Sequence, residues 1–176
     1  MNLQTVVSRK VSAFETAVVS IGTFHAGKAN NVISESVEMT GTCRTYNPEV
    51  RKQLPDLLEN IIKKTCEAHH TTGELDYEFT IPAVINEEKT AALGKKAVAK
   101  IVGEEGVVMP ERTGGGEDFA LYQQEVPGTF YFLGVRNEAE GIVNEWHSQN
   151  FNIDEKALWV GAGVYAQSAF DYLSEG

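Results

Sequence analysis

The sequence predicts a mixed α/β protein built from two parts of different character. In the first part, about residues 1–82, short segments alternate polar and apolar residues, as strands with one solvated face do. In the second part, residues 83–176, apolar positions recur at helical spacing, and one short apolar run is typical of a strand covered on both faces. We therefore place a domain boundary near residue 82.

The first part begins with a short helix and two strands. Apolar residues within residues 3–10 indicate the end of an amphipathic helix. Residues 17–24 are rich in β-branched side chains and lead into a glycine turn, so they are predicted to form a strand. Residues 36–44 alternate strictly, which predicts a second strand with Arg44 on its polar face.

A helix and a third strand are predicted to complete this part. Asn47 is a favourable N-cap and Pro48 suits the first helical turn, although Pro55 is expected to kink or restart the helix. Gly73 ends the helical region, and residues 75–81 alternate as a half-buried strand. The order helix, strand, strand, helix, strand predicts an incomplete ferredoxin-like sandwich that lacks its first strand.

The second part is predicted to be a partial α/β segment. A helix is expected over residues 87–102, a strand covered on both faces over residues 130–134, and a final helix over residues 154–173. The final helix carries an apolar stripe, which a helix normally packs against the core. Its members are Leu158, Ala162, Tyr165, Ala169 and Tyr172. So few strands and helices make a poor closed domain.

Composition narrows the classes of function. The chain has 25 acidic and 15 basic residues and a net charge of -10, which argues against nucleic-acid partners and against binding to anionic membranes. No apolar run is long enough to span a bilayer and the N-terminus has no apolar signal core, so a cytoplasmic location is expected. Cys43 and Cys66 are expected to be reduced, packed thiols.

Two residues near the predicted hairpin suit a carboxylate ligand. Asn31 follows a glycine turn and Arg44 lies in the second strand. A guanidinium offers a planar fork of donors and an amide adds another N–H, which together fit a carboxylate. The alternative is an ordinary turn asparagine with a surface arginine.

A glycine loop forms a second candidate site. Three glycines precede Glu117 and Asp118, and a loop of this kind, ending at Gly116, lets the backbone approach a ligand closely. It is not a phosphate loop, because no lysine follows the glycines and the two carboxylates would repel phosphate. The alternative is a plain loop that begins a helix.

His147 is the candidate metal ligand. A hydrolytic metal centre needs several His, Asp, Glu or Cys side chains around one point. The other histidines, His25, His69 and His70, lie in no ligand motif, so His147 is also compatible with a structural or surface role.

Taken in order, these motifs resemble a known family. They resemble the C-terminal portion of the metal-dependent amidohydrolases that include hippurate hydrolases, N-acyl-amino-acid deacylases and plant auxin-conjugate hydrolases. The matching runs are residues 3–9, 31–33, 41–45, 116–119 and 126–128, and His147-Ser148 with Phe151, Asp154 and Glu155.

The resemblance implies a two-domain enzyme with a dinuclear metal site. Residues 1–82 would be most of a lid domain that forms a homodimer, and residues 83–176 the closing segment of the catalytic domain. His147 would be the last ligand of a divalent metal such as zinc or manganese. Asn31 and Arg44 would hold the carboxylate of an N-acylated amino acid or small peptide. Gly116, Glu117 and Asp118 would line the substrate pocket.

The sequence departs from the family in ways that limit its expected activity. Gln149 stands where the family usually has proline. Ser34, in the turn after Ile33, also replaces a proline that is common in the family. The family's N-terminal metal ligands, its glutamate base and a lid histidine have no counterpart here. We therefore assign no catalytic residue, and we expect the chain alone to hold no metal stably and to hydrolyse nothing. The alternatives are a non-catalytic dimerisation remnant and an unrelated binding module.

Overall fold

Both predicted strands before residue 47 form, and they pair as one hairpin. In the computed structural model, which describes residues 1–175, β1 spans Ala17–Ala26 and β2 spans Val37–Thr45. The strands are antiparallel, and residues 27–36 connect them. The register shifts at Gly22, as in a β-bulge. The predicted N-terminal helix is a single π-helical turn, Val6–Lys10.

Helix α1 (Pro48–Ala68) begins at the predicted cap. The Asn47 side-chain oxygen accepts hydrogen bonds from the backbone N–H groups of Glu49 (2.8 Å) and Val50 (3.4 Å). The predicted restart at Pro55 is wrong, because α1 continues through it. One lost backbone hydrogen bond is outweighed by the apolar face that the uninterrupted helix buries.

The hairpin, the π-helical turn and α1 enclose one apolar core. It contains six buried residues and is extended by partly buried neighbours that include Cys43, Leu75 and Tyr77. The buried residues are Val6, Ala17, Val19, Val50, Leu54 and Leu58. This core holds together the first of two compact units, residues 1–84 with residues 114–120.

The predicted strand over residues 75–81 does not form. Leu75 and Tyr77 are half-buried against the core, and Asp76 and Glu78 are exposed, so the alternation of burial is present at the start of this segment. However, the sheet of the described chain has only β1 and β2. Alternation specifies which side chains are buried, whereas a strand also needs a neighbouring backbone to accept its hydrogen bonds.

The second unit consists of residues 85–113 and 121–175 and contains two long helices. Helix α2 (Glu88–Val102) is capped by the Glu87 side chain, and the final helix is Ala157–Glu175. Helix α3 (Phe119–Glu125) lies between them in sequence, so the final helix is α4. Short 3-10 turns occupy residues 104–106 and 138–140. Within the described residues, no helix has the length and apolarity to cross a membrane.

Helices α2 and α4 pack against each other through small and polar residues. Ala97 of α2 is fully buried, and Val164 of α4 is buried. Lys100 lies 2.7 and 2.8 Å from the two carboxylate oxygens of Asp171, and Gln167 donates to the same carboxylate. The hydrogen bond from Lys100 is the main cause that lowers the pKa of Asp171.

Two predictions about this unit are wrong. The apolar stripe that was expected to pack against the core lies on the exposed side of α4, where Leu158, Tyr165 and Tyr172 are all exposed. Apolar residues occupy most of the circumference of α4, so their spacing alone cannot identify its buried face. Residues 130–134 form no strand, because the sheet of the described residues has only β1 and β2, and the backbone N–H and C=O of Phe130 bond to the Asn86 side chain instead.

Candidate functional site

Arg44 and the glycine loop meet within the first unit. Arg44 pairs with Val18 across the hairpin and is exposed. Its Nη1 atom donates a hydrogen bond to the carbonyl oxygen of Gly114 at 2.5 Å. A β-carbon built on Gly116 would lie 3.9 Å from the same Nη1 atom. The fold therefore brings together two segments that are 70 residues apart in sequence.

The loop glycines provide space rather than unusual backbone conformation. Neither Gly114 nor Gly116 is among the glycines with positive φ. A β-carbon on Gly114 would have only an Arg44 side-chain atom within 4 Å, at 3.9 Å. The loop surface beside the guanidinium is thus open, as a binding site for a small ligand requires.

Glu117 and Asp118 differ in their surroundings. The Glu117 carboxylate accepts a hydrogen bond from the backbone N–H of Phe119 at 3.3 Å, at the start of α3. Its carbonyl accepts one from Ala120, which is buried. Asp118 is exposed. The half-buried Glu117 therefore helps to begin α3, whereas the Asp118 side chain is accessible to a ligand.

Asn31 lies away from this site. It is exposed in the connecting loop, beyond the end of the hairpin where Ala26 pairs with Val37. A strand rising about 3.3 Å per residue spans roughly 23 Å from Val37 to Arg44. Asn31 and Arg44 therefore lie toward opposite ends of the hairpin, and their joint role in binding a carboxylate stays a prediction.

His147 lies in a turn of the second unit. Its backbone has φ 66°, in the left-handed region that a non-glycine residue rarely adopts, and its side chain is exposed. The rings of His147 and Trp146 are 6.0 Å apart, and Trp146 packs edge-on against Phe132 at 5.9 Å. An aromatic cluster thus fixes the residue that precedes the histidine.

A complete metal site is not formed by residues 1–175. Within this range no three His, Cys, Asp or Glu side chains are placed so that they could hold one ion. His147 would supply one ligand, and a hydrolytic site needs about three from the protein. The described residues therefore do not fit a whole metal centre, and the role of His147 as a ligand stays a prediction.

Asp154, in the last of the family-like runs, has a structural partner. The Asn137 side chain donates a hydrogen bond to its carboxylate at 2.7 Å, which is the main cause that lowers the pKa of Asp154. Its other carboxylate oxygen accepts from the backbone of Lys156 at 3.0 Å, just before α4. Asp154 therefore ties the turn at Asn137 to the beginning of α4.

The fold brings Cys43 and Tyr77 into contact. Both are half-buried beside the first core, and a hydrogen bond joins their side chains. Burial is the main reason why the pKa of Cys43 is raised. It is also the main reason why the pKa of Tyr77 is raised to about 12. Cys43 and Cys66 are both free thiols. The alternation of residues 75–81 was the available signal, because it puts Tyr77 on the buried side.

The chain matches one protein family over nearly its whole length. Residues 4–171 match the model of peptidase family M20/M25/M40. The chain belongs to this family. Its M20 relatives include the N-acetylcysteine deacetylase of Bacillus subtilis strain 168, which is 35% identical over 95% of this chain. The IAA-amino acid hydrolase ILR1-like 4 of Arabidopsis thaliana is 31% identical over 99% of this chain.

A solved M20 structure resembles the fold. The crystal structure of the Bacillus subtilis YXEP protein, described as a dinuclear metal binding peptidase from the M20 family, aligns with a TM-score of 0.78 and 32% identity over 95% of this chain. This chain spans 42% of that protein, 42% of the deacetylase and 41% of the Arabidopsis hydrolase. It therefore spans less than half the length of these M20 relatives.

Proposed function

We propose that this chain is the C-terminal portion of an M20 hydrolase that cleaves the amide bond of N-acylated amino acids or small peptides. The observation that carries the proposal is the position of Arg44 beside the open Gly114–Gly116 loop. The names of the relatives support this substrate class, since a deacetylase of N-acetylcysteine and a hydrolase of IAA-amino acids both point to N-acylated amino acids.

Arg44 would select substrates that carry a free carboxylate. Its bond to Gly114 uses one of the five N–H donors of the guanidinium, and the exposed group keeps donors for a ligand. The same hydrogen bond holds the guanidinium toward the loop. The Arg44 side chain is therefore partly ordered before a substrate binds, which reduces the conformational entropy lost on binding. Asp118 and Gly116 would lie along the bound substrate.

The two units would have different tasks. The first unit, with its hairpin and α1, would be most of a ferredoxin-like lid through which the enzyme forms a homodimer. The second unit would close an α/β catalytic domain. Asn31 lies in the loop beyond the end of the hairpin opposite Arg44, so Asn31 would serve a different part of the substrate or a site in the other subunit.

His147 would provide one ligand to a divalent metal, such as zinc or manganese, in the whole enzyme. A metal in such an enzyme polarises the amide carbonyl and lowers the pKa of a bound water. The remaining ligands and the base would come from polypeptide that matches the rest of the M20 relatives. A second candidate is a non-catalytic dimerisation remnant, which differs from the first in that supplying the remaining ligands would not restore activity.

Substitution of Arg44 tests the proposal. The assay enzyme is a single chain in which the part of N-acetylcysteine deacetylase that this chain does not match precedes residues 1–176. A hydrogen bond to a charged group is worth roughly 1.5–3 kcal/mol, so Arg44→Ala should lower kcat/KM for N-acetyl amino acids about 10- to 150-fold. The measurement is initial rates with each N-acetyl amino acid and with its C-terminal amide.

Two controls give this test its specificity. Arg9→Ala removes an exposed arginine of the same unit and should leave kcat/KM unchanged. For the amide substrates, the native and Arg44→Ala enzymes should differ by less than about threefold, since a neutral amide offers no charge to the guanidinium. Equal losses for acid and amide, or unfolding by Arg44→Ala, would show that Arg44 is structural. An inactive fusion would favour the non-catalytic remnant.

A further inference from the structure

The side chain of Asn86 holds the backbone of Phe130 as a neighbouring strand would. Its Oδ1 atom accepts a hydrogen bond from the Phe130 N–H at 2.9 Å, and its Nδ2 atom donates one to the Phe130 carbonyl at 3.1 Å. A hydrogen-bonded residue pair in an antiparallel sheet exchanges two bonds of the same kind. Gln123 supports Asn86, because its Nε2 atom donates to the Asn86 Oδ1 at 3.4 Å. The same Gln123 amide bonds to the backbone of Ile85 and of Gly128. We call Asn86 and Gln123 the amide clamp.

An aromatic cluster leads from the clamped residue to the turn of His147. The rings of Phe130 and Phe132 pack edge-on with their centroids 5.5 Å apart. Phe132 in turn packs edge-on against Trp146, at 5.9 Å. Trp146 directly precedes His147, and their ring centroids are 6.0 Å apart. Because edge-on ring pairs have a preferred geometry, each ring restricts the position of the next. All of these residues, with the amide clamp, belong to the second unit.

The turn at His147 has a backbone conformation that its sequence does not favour. The Ser148 N–H donates to the Glu145 carbonyl at 3.2 Å, which closes a β-turn with Trp146 and His147 at its centre. Of these two central residues only His147 has a positive φ, of 66°. A positive φ at the third position alone is typical of a type II turn, where glycine or asparagine is usual. Such a conformation persists at another residue where the surrounding structure holds it.

We propose that Asn86 is a positioning residue for His147. The amide clamp fixes the backbone of Phe130, and the aromatic cluster relates that position to Trp146. Trp146 then holds the turn in the conformation that His147 adopts. The inference rests on the proposed function in one respect, since it is there that His147 has a task that requires a fixed imidazole.

The first test uses the whole chain, with no metal added, and measures the turn itself. With Trp159→Phe as the background, Trp146 is the single tryptophan, so its fluorescence anisotropy reports the mobility of the turn. Asn86→Ala should lower this anisotropy. It should also speed hydrogen exchange of the Ser148 N–H about tenfold, the effect of losing ordinary hydrogen bonds. Phe132→Leu should act in the same way, whereas Phe132→Tyr keeps the ring and should give native values.

Gln167→Ala is the matched control for Asn86→Ala. It also removes an amide of the second unit, but the Gln167 hydrogen bond goes to Asp171. The anisotropy of Trp146 and the exchange of Ser148 should therefore stay native, even if urea unfolding shows equal destabilisation by the two variants. Native values in Asn86→Ala, or equal changes in Gln167→Ala, would overturn the inference. If circular dichroism shows that Asn86→Ala loses its helices, the Phe132 pair decides the outcome.

A glycine in the turn separates positioning from general loosening. In a His147→Gly chain the turn conformation is favourable by itself, because glycine adopts a positive φ without strain. Asn86→Ala should then change the exchange of Ser148 less than about twofold. An effect of the same size with histidine and with glycine in the turn would show that Asn86 is merely structural.

Activity distinguishes this inference from the proposed function. In the single-chain fusion described above, Asn86→Ala should lower kcat about 10- to 100-fold, the usual effect of removing a residue that orients a metal ligand. KM should change little, since Arg44 and not His147 would hold the carboxylate of the substrate. Gln167→Ala should change kcat less than about threefold. An inactive fusion with a turn loosened by Asn86→Ala overturns only the proposed function. An active fusion in which Asn86→Ala alters neither the turn nor kcat overturns only this inference.

Discussion

At the scale of single residues, Gly94 is a buried helix position where packing leaves no room for a side chain. A β-carbon there would fall on the hydroxyl and ring of Tyr131. We expect Gly94→Ala to destabilise the protein by about 1–3 kcal/mol, the usual cost of overpacking, despite the better helix propensity of alanine. Urea unfolding at neutral pH measures the change.

Gly163→Ala is the matched control for this prediction. Gly163 also lies in a helix of the second unit, but its β-carbon would meet only Ile101 at ordinary van der Waals distances. Alanine there should be neutral or stabilise by up to about 1 kcal/mol, from helix propensity. Equal effects of the two substitutions would mean that propensity rather than the Tyr131 contact controls Gly94.

Tyr77 should make the first unit sensitive to alkaline pH. Its pKa is raised from 10.0 to about 12, mainly by burial, so the folded state holds the phenol proton more tightly than the unfolded chain does. The contribution of Tyr77 to the free energy of unfolding is therefore fully present below pH 10 and is lost as the pH rises toward 12. Cys43 adds to the effect in the same direction.

The test compares urea midpoints at pH 8, 10 and 11. Tyr77→Phe should flatten the alkaline decline, because the group that must ionise is gone. Tyr172→Phe changes an exposed tyrosine of α4 and should leave the slope as in the native protein. Identical slopes in all three proteins would rule out Tyr77 as the source.

The sequence identified Arg44 and the loop at Gly116 as separate candidates, and only the fold shows that they adjoin. Their contact joins residues far apart in the chain, which no local pattern encodes. Asn31 and Arg44 lie toward opposite ends of the hairpin, and their pairing on one carboxylate stays a prediction.

At the scale of elements, the Asn47 cap of α1 is the clearest case of local sequence controlling structure. Its side chain satisfies two backbone N–H groups that would otherwise have no partner in the helix. Asn47→Ala should cost about 1 kcal/mol, whereas Asn47→Asp should cost little, since aspartate caps equally well. The measurement is the midpoint of urea unfolding, with the dependence of the unfolding free energy on urea concentration unchanged. Equal losses for both variants would contradict a capping role.

Elements with local signals were predicted, and elements that need distant partners were not. The cap, the hairpin strands and helices α1 and α2 carry propensity, periodicity and boundary residues within themselves. Residues 75–81 and 130–134 have the composition of strands, but a strand exists only with a neighbour. The buried face of α4 could not be predicted either, because its most apolar stripe is exposed while its packed side includes Gln167 and Asp171.

At the scale of the whole molecule, we expect the purified chain alone not to hydrolyse hippurate or N-acetyl-methionine when Zn²⁺ or Mn²⁺ is added. Hydrolytic sites need about three protein ligands with supporting hydrogen bonds, and residues 1–175 bring no such group together. Release of the free amino acid measures the activity. Metal-dependent turnover that His147→Ala abolishes and His25→Ala preserves would refute the expectation.

The exposed apolar side of α4 also determines how this chain would respond to selection. In a mutational scan scored only for the amount of folded chain, charged residues at Trp159 or Tyr165 should be tolerated or enriched, because these side chains contact mainly water. Substitutions at Asp171 or Gly94 should be depleted. A surface redesign that replaced these rings with charged residues would therefore yield a better-behaved protein of unchanged fold.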